Sequence, residues 1–523
     1  MTPCNPKEVA LKSFFLGPRA ENAKWVKGLV SRILDHWMDW RRSLFPQDGS
    51  AISPEDQELP EFIERQKNFE DSAIELLTRF EKEVPKFSPR YVGHMFSEIS
   101  LPALIGHVVT LLHNPNNISG ESSRVGIQIE DEAVRFLAQM LGYPPESATG
   151  HFTSGGTLAN FEAMLRARSR LGSASEAQRS VMLVPENKHY SWQKGWRMMG
   201  MSKESLWPIA LDAQGRLSVN SLKALLKRAS GENRPVLMVV SVLGTTELGG
   251  IDPVNEVQTA LDEWSDAQGV RIWHHVDAAY GGFFTTMDLE KTDVLSFESK
   301  QALSAVSRST SVTLDPHKLG YVPYASGAFL CRDPKDYFLT GFEEAPYIDF
   351  NRSIDRGPYT IEGSRSAAGA VATWMSAKTM GFHSNGYGLL LERTIRIRRE
   401  LSDRVSSEEA LQIKIAPGCD TNILCFSCPR EGEKISVTNQ RTLKVFEAFS
   451  PKKNGEFIVS KTALQWRSYD AYLGEWIRSW SGVRDEDELV LVRMSMMNPF
   501  FGSVETDVNY ADLFVENLKG ILK

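Results

Sequence analysis

The pattern of apolar and polar positions changes twice along the chain, and its first part has the periodicity of helices. Apolar residues recur every three or four positions at about Glu21–Trp40 and Pro60–Glu83, which predicts two amphipathic helices. The first helix carries Trp25, Trp37 and Trp40 on one broad apolar face. Such a face needs a burial partner, which either the same domain or a second subunit could provide. Two further helices are expected, at about Leu101–Leu112 and Ser123–Leu141.

From about Gly150 the pattern consists of short, wholly apolar segments that alternate with helical periodicity. Strands that are apolar throughout are typical of a sheet covered on both faces, which favours a mainly parallel α/β domain. The predicted strands are Val181–Val184, Val236–Val242, Ile272–Asp277, Val312–Leu314 and Gly327–Cys331, and the predicted helices are Leu158–Ser169, Tyr190–Met199, Val219–Ala229 and Val254–Ala267.

After about Gly381 the order of elements changes again. A long helix at Tyr387–Val405 leads into a strand around Ile423, and a strand at Leu489–Met496 precedes a closing helix at Asn509–Leu522. This order predicts a small α+β domain. We therefore expect an N-terminal helical segment at residues 1–100, a large domain at 101–380 and a small C-terminal domain at 381–523. No internal repeat or low-complexity linker separates them.

Composition excludes several classes of partner. The 523 residues carry a net charge of −7, and the pI is near 5.9, so no basic field attracts nucleic acid or an anionic membrane. The longest apolar run, Val236–Gly244, is far shorter than a bilayer span, and Met1–Phe15 has no secretory core. The five cysteines lack framework spacing, which is typical of a cytoplasmic protein. Cys425 and Cys428 have no second ligand pair, so no metal site is expected.

The first candidate for a reactive residue is Lys318, which follows the short predicted strand Val312–Leu314. Pro316 must end that strand because proline lacks a backbone donor. The lysine is therefore expected on a loop at a strand end, where reactive residues are often placed. Taken alone it would be an ordinary solvated amine. Three other stretches change that interpretation.

The first is Thr153–Thr157, a sequence with two adjacent glycines directly before a predicted helix. Gly155 and Gly156 let backbone N–H groups approach an anion, and the helix start adds free donors while Thr157 adds a hydroxyl. The stretch matches neither of the common nucleotide-binding patterns. It therefore indicates a phosphate site, with an ordinary loop and a capping threonine as the alternative.

The other two stretches contain Asp277 and His189. Asp277 ends an apolar strand, where a buried carboxylate needs a partner such as a protonated heteroaromatic nitrogen. The small Ala278 and Ala279 that follow leave room for a flat ring. His189 follows the strand Val181–Val184 and could lie against the face of that ring. A turn-capping aspartate and an ordinary structural histidine are the alternatives.

A phosphate site, a ring-stacking histidine, an acidic partner for a ring nitrogen and a lysine together suit pyridoxal 5'-phosphate. On these motifs the chain resembles the group II pyridoxal-phosphate-dependent amino acid decarboxylases, and within them the bacterial tyrosine decarboxylases. The family motifs are Thr153–Asn160, His189–Lys194, Leu243–Thr246, His275–Tyr280, Asp315–Lys318 and Glu362–Arg365, and those typical of the tyrosine enzymes are Phe15–Asn22, Tyr91–Met95, Asn114–Asn117, Gly320–Tyr324 and Met497–Pro499.

The resemblance implies fold type I, the aspartate aminotransferase fold, with a mainly parallel sheet of seven-stranded type in the large domain. It implies that Lys318 holds the cofactor covalently, that Asp277 keeps the ring nitrogen protonated and that His189 stacks on the ring. It also implies a homodimer, in which Gly363 and Ser364 reach the phosphate of the neighbouring subunit. The remaining cofactor contacts that it implies are Gly155, Gly156, Thr157, Thr246, Ala279, Asp315 and His317.

The resemblance also supplies candidates for proton transfer and carboxylate binding. Tyr347, in the stretch Lys335–Pro358 that has the composition of a lid, is the candidate donor of a proton to Cα. Tyr324 is similar to a tyrosine that lines the site of the tyrosine enzymes, either with proton chemistry or only as part of the wall. Arg493 is a weaker candidate for a carboxylate contact, and an ordinary surface or interdomain arginine is the favoured interpretation.

Substrate choice is expected to depend on His94, Asn116 and Ile118, which lie at positions that line the side-chain pocket in the family. The family commonly has proline where this chain has Arg124, and an added guanidinium there would favour an acidic substrate unless it faces solvent. We expect decarboxylation of an aromatic, tyrosine-like L-amino acid to the amine and CO₂. The alternatives are decarboxylation of aspartate, glutamate or cysteate, or a lyase or aldehyde synthase on the same fold.

Overall fold

The structure is a computed structural model that describes residues 10–341, 355–450, 455–503 and 506–523. Its N-terminal part contains the two predicted amphipathic helices, α1 (Ala23–Leu44) and α3 (Pro60–Phe80), joined through the short helix α2 (Pro54–Glu58). No residue of α1 or α3 is buried in the single chain. Trp25 is 56% exposed and Phe69 is 76% exposed. The described residues of the same subunit therefore cover the apolar face of α1 only in part and leave that of α3 largely exposed.

A central sheet of seven strands lies in the order β1-β7-β6-β5-β4-β2-β3. All its neighbouring pairs are parallel except those of β7, which runs against both β1 and β6. The predicted mainly parallel sheet is confirmed, although β1 and β3 were not predicted because His151 and Pro208 interrupt their apolar pattern. The strands are β1 (Thr149–Thr153), β2 (Val181–Pro185), β3 (Leu206–Ile209), β4 (Val236–Val242), β5 (Trp273–Ala278), β6 (Ser311–Leu314) and β7 (Gly327–Cys331).

Helices cover both faces of this sheet. Met182 and Val184 of β2 pack on one side among Trp192, Trp196 and residues of α6, whereas the intervening Leu183 packs on the other side. This alternation explains why the strands are apolar throughout. The helices are α4 (Leu101–His113), α5 (Arg124–Met140), α6 (Gly156–Arg170), α7 (Ala174–Arg179), α8 (Tyr190–Met198), α9 (Val219–Gly231), α10 (Val254–Gln268), α11 (Phe297–Ser304), α12 (Pro334–Tyr337) and α13 (Ala368–Thr379).

The C-terminal part forms a four-stranded antiparallel sheet in the order β10-β11-β9-β8. Its two central strands, β9 and β11, and its long first and last helices were predicted, whereas the edge strands and the helices between them were not. The elements are α14 (Tyr387–Ser407), β8 (Lys414–Ile415), β9 (Ile423–Ser427), α15 (Ile435–Ala448), β10 (Ser460–Gln465), α16 (Trp466–Arg478), β11 (Glu488–Ser495) and α17 (Tyr510–Leu522). The domain boundaries near residues 100 and 380 stay predictions. Within the described ranges, no helix is both long and apolar enough to span a membrane.

Candidate active site

A cavity of about 410 Å³ lies at the carboxyl ends of β1, β2, β4, β5 and β6. Loops at this edge of a parallel sheet are the usual place for a ligand, because strand ends and helix starts meet there. Each of the five strands is followed by a loop that contributes at least one predicted residue. The predicted residues that line the cavity are Gly155, Gly156, Thr157, His189, Thr246, Asp277, Ala279, Asp315, His317 and Lys318.

The two glycines after β1 let the start of α6 come close to the rest of the site. A Cβ atom on Gly156 would lie 2.9 Å from Asp315 Oδ2 and 3.1 Å from the Cβ of Ala279. A Cβ on Gly155 would lie 3.3 Å from the ring of His317. Because α6 also starts without a side-chain cap, its first N–H groups are free for an anion. This part of the cavity fits a phosphate group.

Asp277 lies at the end of β5 and is only 5% exposed. Its Oδ2 accepts hydrogen bonds from Asn160 Nδ2 at 2.9 Å and from Trp192 Nε1 at 3.0 Å. Its Oδ1 accepts from the N–H of Ala279 at 3.3 Å. These neutral donors stabilise a buried carboxylate while leaving Oδ1 able to accept another bond. Asn160 and Trp192 belong to motifs noted in the sequence, but their contact with Asp277 was not predicted.

Lys318 lines the cavity and is held next to Asp315. Its Nζ lies 2.9 Å from Asp315 Oδ2, and Nε2 of His317 lies 3.5 Å from the same oxygen. Burial raises the pKa of Asp315, but Lys318 and His317 outweigh this effect and hold that pKa at about 2. The other oxygen, Oδ1, is buried without a hydrogen-bond partner among the residues described. The site therefore keeps acceptor capacity beside the lysine.

The two histidines of the site have different surroundings. Nδ1 of His189 lies 2.9 Å from the hydroxyl of Ser191, and burial lowers the pKa of His189. The ring of His317 stacks on Tyr324, with 4.0 Å between ring centroids. Tyr324 is 58% exposed and does not itself line the cavity. It thus contacts the candidate site through His317.

A second group of predicted residues lies outside the cavity lining. Asn116 Nδ2 donates to Ser364 Oγ at 3.0 Å, and Asn116 Oδ1 accepts from the N–H of Ile118 at 3.2 Å. Gly363 and Ser364 are exposed, and Ile118 lies beneath Gly363. The fold brings these four residues together on a surface that is open in the single chain.

The remaining substrate and proton-transfer candidates are in three places. His94 is exposed, although its ring packs against Phe96. Partial burial of the imidazole and the nearby Arg493 lower the pKa of His94. The residue after it, Met95, lines the cavity. Tyr347 lies outside the described residues. Arg124, the first residue of α5, is exposed, so it gives no support for an acidic substrate within this chain.

Of the two ordinary positions favoured for Arg493, surface and interdomain, the surface position is wrong, because the side chain is buried between β11 of the C-terminal sheet and the loop after β4 of the central sheet. The residue is 5% exposed, and its Nε donates to the carbonyl of Thr246 at 2.9 Å. Its Nη1 donates to the carbonyl of Gly93 at 3.4 Å, while Nη2 has no hydrogen-bond partner in the described ranges. A charged group buried in this way needs an anionic or polar partner. Sequence periodicity could not reveal this because Arg493 and Thr246 are 247 residues apart.

Comparison with known families decides the identity of the chain. The model of the pyridoxal-dependent decarboxylase conserved domain matches residues 57–428, which is most of the sequence. The chain belongs to the pyridoxal-dependent decarboxylase family. Pyridoxal phosphate is thus its cofactor, and the phosphate site, Asp277 and Lys318 provide groups suited to the phosphate, ring nitrogen and aldehyde of that molecule.

Individual members of this decarboxylase family support the same reaction. The L-tyrosine decarboxylase of Levilactobacillus brevis is 27% identical over 95% of this chain and 94% of its own length. A probable L-tyrosine/L-aspartate decarboxylase of Methanothermobacter thermautotrophicus is 35% identical over 58% of this chain and 74% of its own. The protein is a pyridoxal-phosphate-dependent amino acid decarboxylase.

The solved structures of decarboxylases establish the fold. The structure of Oryza sativa TDC with PLP and tryptamine superposes with a TM-score of 0.70, covers 100% of both chains and is 16% identical. Because such an identity carries no information on substrate, the likeness confirms fold type I and nothing finer. The relatives are named for more than one amino acid, so the choice of side chain has to be argued from the site.

Proposed function

We propose that this decarboxylase acts on an aromatic, tyrosine-like L-amino acid and releases the amine and CO₂ at a site completed by a second subunit. The observation that carries this proposal is the convergence of Lys318, Asp277 and the glycine pair Gly155–Gly156 on one cavity. The similarity to the L-tyrosine decarboxylase of Levilactobacillus brevis extends over nearly all of both chains and supports the aromatic choice.

Each residue of the cavity has a role that follows from its chemistry. When bound, pyridoxal phosphate supplies an electron sink for the pair left at Cα as CO₂ departs. The amine of Lys318 would hold the aldehyde, and Oδ1 of Asp277 would accept from the protonated ring nitrogen. His189 and Ala279 would hold the flat ring between them. The phosphate contacts are Gly155, Gly156, Thr157 and His317, with Gly363 and Ser364 of a neighbouring subunit.

The substrate carboxylate is held by Arg493 and Thr246. Nη2 of Arg493 is buried without a partner in the part of the chain described, while its Nε is fixed on the carbonyl of Thr246. A fixed guanidinium orients a carboxylate, and orientation is what bond cleavage at Cα requires. Tyr347, with Tyr324 as the alternative, returns the proton to Cα.

The side-chain pocket favours a phenol over a carboxylate. Partial burial and the nearby Arg493 lower the pKa of His94, which favours its uncharged form, and Asn116 and Ile118 carry no charge. A carboxylate side chain would need a cation, and His94, Asn116 and Ile118 supply no permanent one. Arg124 is exposed in the single chain, as are Gly363 and Ser364, so the substrate panel decides whether it reaches the pocket of a neighbouring subunit. His94 and the second N–H of the Asn116 amide, which the proposed dimer would bring to one pocket, can instead exchange hydrogen bonds with a hydroxyl group.

A substrate panel tests the proposed reaction. The purified protein, saturated with pyridoxal phosphate, is incubated separately with each proteinogenic amino acid, cysteate and dopa, and amine and CO₂ are measured by mass spectrometry. We expect kcat/KM for tyrosine or another aromatic amino acid to exceed that for aspartate by at least about tenfold. The same assay with Arg493→Met should show kcat/KM lowered by about ten- to a hundredfold for every accepted substrate.

The control for that variant is Arg441→Met, since Arg441 bonds Glu433 and Cys428 in the C-terminal part, whereas Arg493 bonds Thr246, which lines the cavity. It should leave kcat/KM unchanged. Fastest turnover of aspartate or cysteate would replace the aromatic substrate with the acidic alternative. Accumulation of aldehyde and ammonia would contradict simple decarboxylation.

The homodimer is supported by the uncovered apolar surfaces of α1 and α3. Phe69 is 76% exposed and Leu77 is 68% exposed, although both lie on an amphipathic helix. Large apolar side chains on one such face are typical of a subunit interface. Ser364 and Gly363 are also exposed, as residues that reach a neighbouring subunit must be.

We expect the double variant Phe69→Asp/Leu77→Asp to be monomeric in light scattering and to lose at least about tenfold in activity, because charges at an apolar interface are strongly disfavoured. Phe297→Asp is the matched control, since Phe297 is 72% exposed but lies on α11. A double variant that remained dimeric would rule out this interface. A fully active monomer would rule out a shared site.

A further inference from the structure

Behind the cavity, five side chains from three parts of the fold form one continuous set of hydrogen bonds. They are Asn160 on α6, His189 and its neighbours Ser191 and Trp192 at the start of α8, and Asp277 at the end of β5. We refer to these five residues as the Asn160 network. Asn160, Ser191 and Trp192 are 1%, 0% and 0% exposed. A buried polar set of this kind specifies the arrangement of its members through the donors and acceptors that match, and Asn160 Oδ1 is its one buried side-chain atom without a partner among the described residues.

Asn160 joins the two functional side chains of the network. One N–H of its amide is directed to Asp277 Oδ2 at 2.9 Å, and the other to the hydroxyl of Ser191 at 3.0 Å. The orientation of the amide follows from chemistry, since an ionised carboxylate only accepts hydrogen bonds. The indole N–H of Trp192, which can only donate, adds the second bond to Oδ2 at 3.0 Å.

The same logic continues to His189. Because the hydroxyl oxygen of Ser191 accepts from Asn160, its own proton is available for His189 Nδ1 at 2.9 Å. The backbone N–H of Ser191 also points to Nδ1, at 3.3 Å. A ring nitrogen that receives two donors carries no proton, so the proton of the neutral imidazole is on Nε2.

We propose that Asn160 and Trp192 are positioning residues that occupy Oδ2 of Asp277, so that Oδ1, which among the described residues accepts only the N–H of Ala279, can also accept from the ring nitrogen of the cofactor, and that Asn160 acts through Ser191 to keep the proton of His189 on Nε2. The inference rests on the role proposed for Asp277 and extends it to residues that do not touch the reacting atoms. Asp277, the proposed partner of the ring nitrogen, and the stacking His189 are thereby parts of one hydrogen-bonded unit.

The consequence of losing one donor can be derived from acid–base chemistry. A hydrogen bond to a carboxylate stabilises its charged form, so its removal makes Asp277 a stronger base. With the cofactor bound, Asp277 would take a larger share of the proton between itself and the ring nitrogen. Lys318, whose nitrogen would then be joined to a less electron-withdrawing group, would keep its proton to higher pH.

The test compares Trp192→Phe with Trp196→Phe in the cofactor-loaded protein. Both tryptophans are fully buried on α8, but the indole of Trp196 donates to Ser202 and Ser205 instead of to the site. We expect the midpoint of the pH-dependent change in visible absorbance to rise by about one unit in Trp192→Phe, since a bond to a charged group is worth about a factor of ten. Trp196→Phe should leave the midpoint unchanged.

Two further variants complete the test. Asn160→Leu should shift the midpoint in the same direction as Trp192→Phe. If Trp192→Phe does not fold, Asn160→Leu is compared with Trp196→Phe in its place. Ser191→Ala should leave the midpoint unchanged, because both donors to Asp277 remain. It should lower kcat about tenfold with little change in KM, because His189 is then free to change tautomer. The charged groups that face His189, namely Asp277, Lys318 and Asp315, are retained in every variant.

An unchanged midpoint in folded Trp192→Phe and Asn160→Leu would overturn the role at Asp277. An unchanged kcat in Ser191→Ala would overturn the role at His189. Failure of the proposed substrate choice is distinguishable from either result, because the substrate panel would show it, whereas the midpoint is measured without substrate and kcat is measured with whichever substrate the panel identifies.

Discussion

Replacement of Lys318 by alanine is expected to remove the visible absorbance of the cofactor-loaded protein and to lower decarboxylation by at least about three orders of magnitude. Lys318 is the lysine among the described residues that lines the cavity, where its Nζ lies 2.9 Å from Asp315. Without its amine the cofactor can be held only through its phosphate and ring. Absorbance after dialysis against buffer and CO₂ release under saturating substrate measure the two effects.

Lys194→Ala is the control for this variant, since Lys194 is exposed on α8 and does not line the cavity. The Lys194→Ala protein should retain both the visible absorbance and the rate of decarboxylation. A Lys318→Ala protein that stayed yellow and turned over substrate at the wild-type rate would refute the assignment of this site.

Asp277→Asn has the second largest expected effect, a fall in kcat of about 10²- to 10⁴-fold. The physical reason lies in the two donors at Oδ2, from Asn160 and Trp192. They hold the oxygen of the new amide on their side and turn its NH₂ group toward the ring nitrogen. An amide donor there favours an unprotonated nitrogen, so the ring accepts electrons poorly. Single-turnover kinetics with a bound substrate would isolate this step.

The matched control is Asp336→Asn, because Asp336 is also a buried aspartate but pairs with Arg271 outside the cavity. It should retain the wild-type kcat. If Asp277→Asn retained wild-type kcat while remaining folded, Asp277 would not be the partner of the ring nitrogen.

Residues whose signal is local were predictable from the sequence. A proline that ends a strand placed Lys318 on a loop, and a pair of glycines before a helix marked the phosphate site. Asp277 was marked by its position at the end of an apolar strand. Lys318, Asp277 and the glycine pair all line one cavity, because parallel strands bring their carboxyl ends to one edge of the sheet.

Residues whose role depends on distant partners were not predictable in this way. Arg493 has an ordinary strand context, and only the fold buries its guanidinium against Thr246. Strands β1 and β3 were missed for a related reason, since their polar or proline residues disrupt the apolar pattern while neighbouring strands supply the hydrogen bonds.

The sequence by itself determined the order of the elements, the class of the sheet and the loops that carry the cofactor chemistry, because periodicity and turn residues act over a few positions. Only the tertiary structure decided how those loops are coupled. The bonds from Asn160 and Trp192 to Asp277 connect residues 117 and 85 positions apart. Donor and acceptor become neighbours there only after α6, α8 and β5 have packed together.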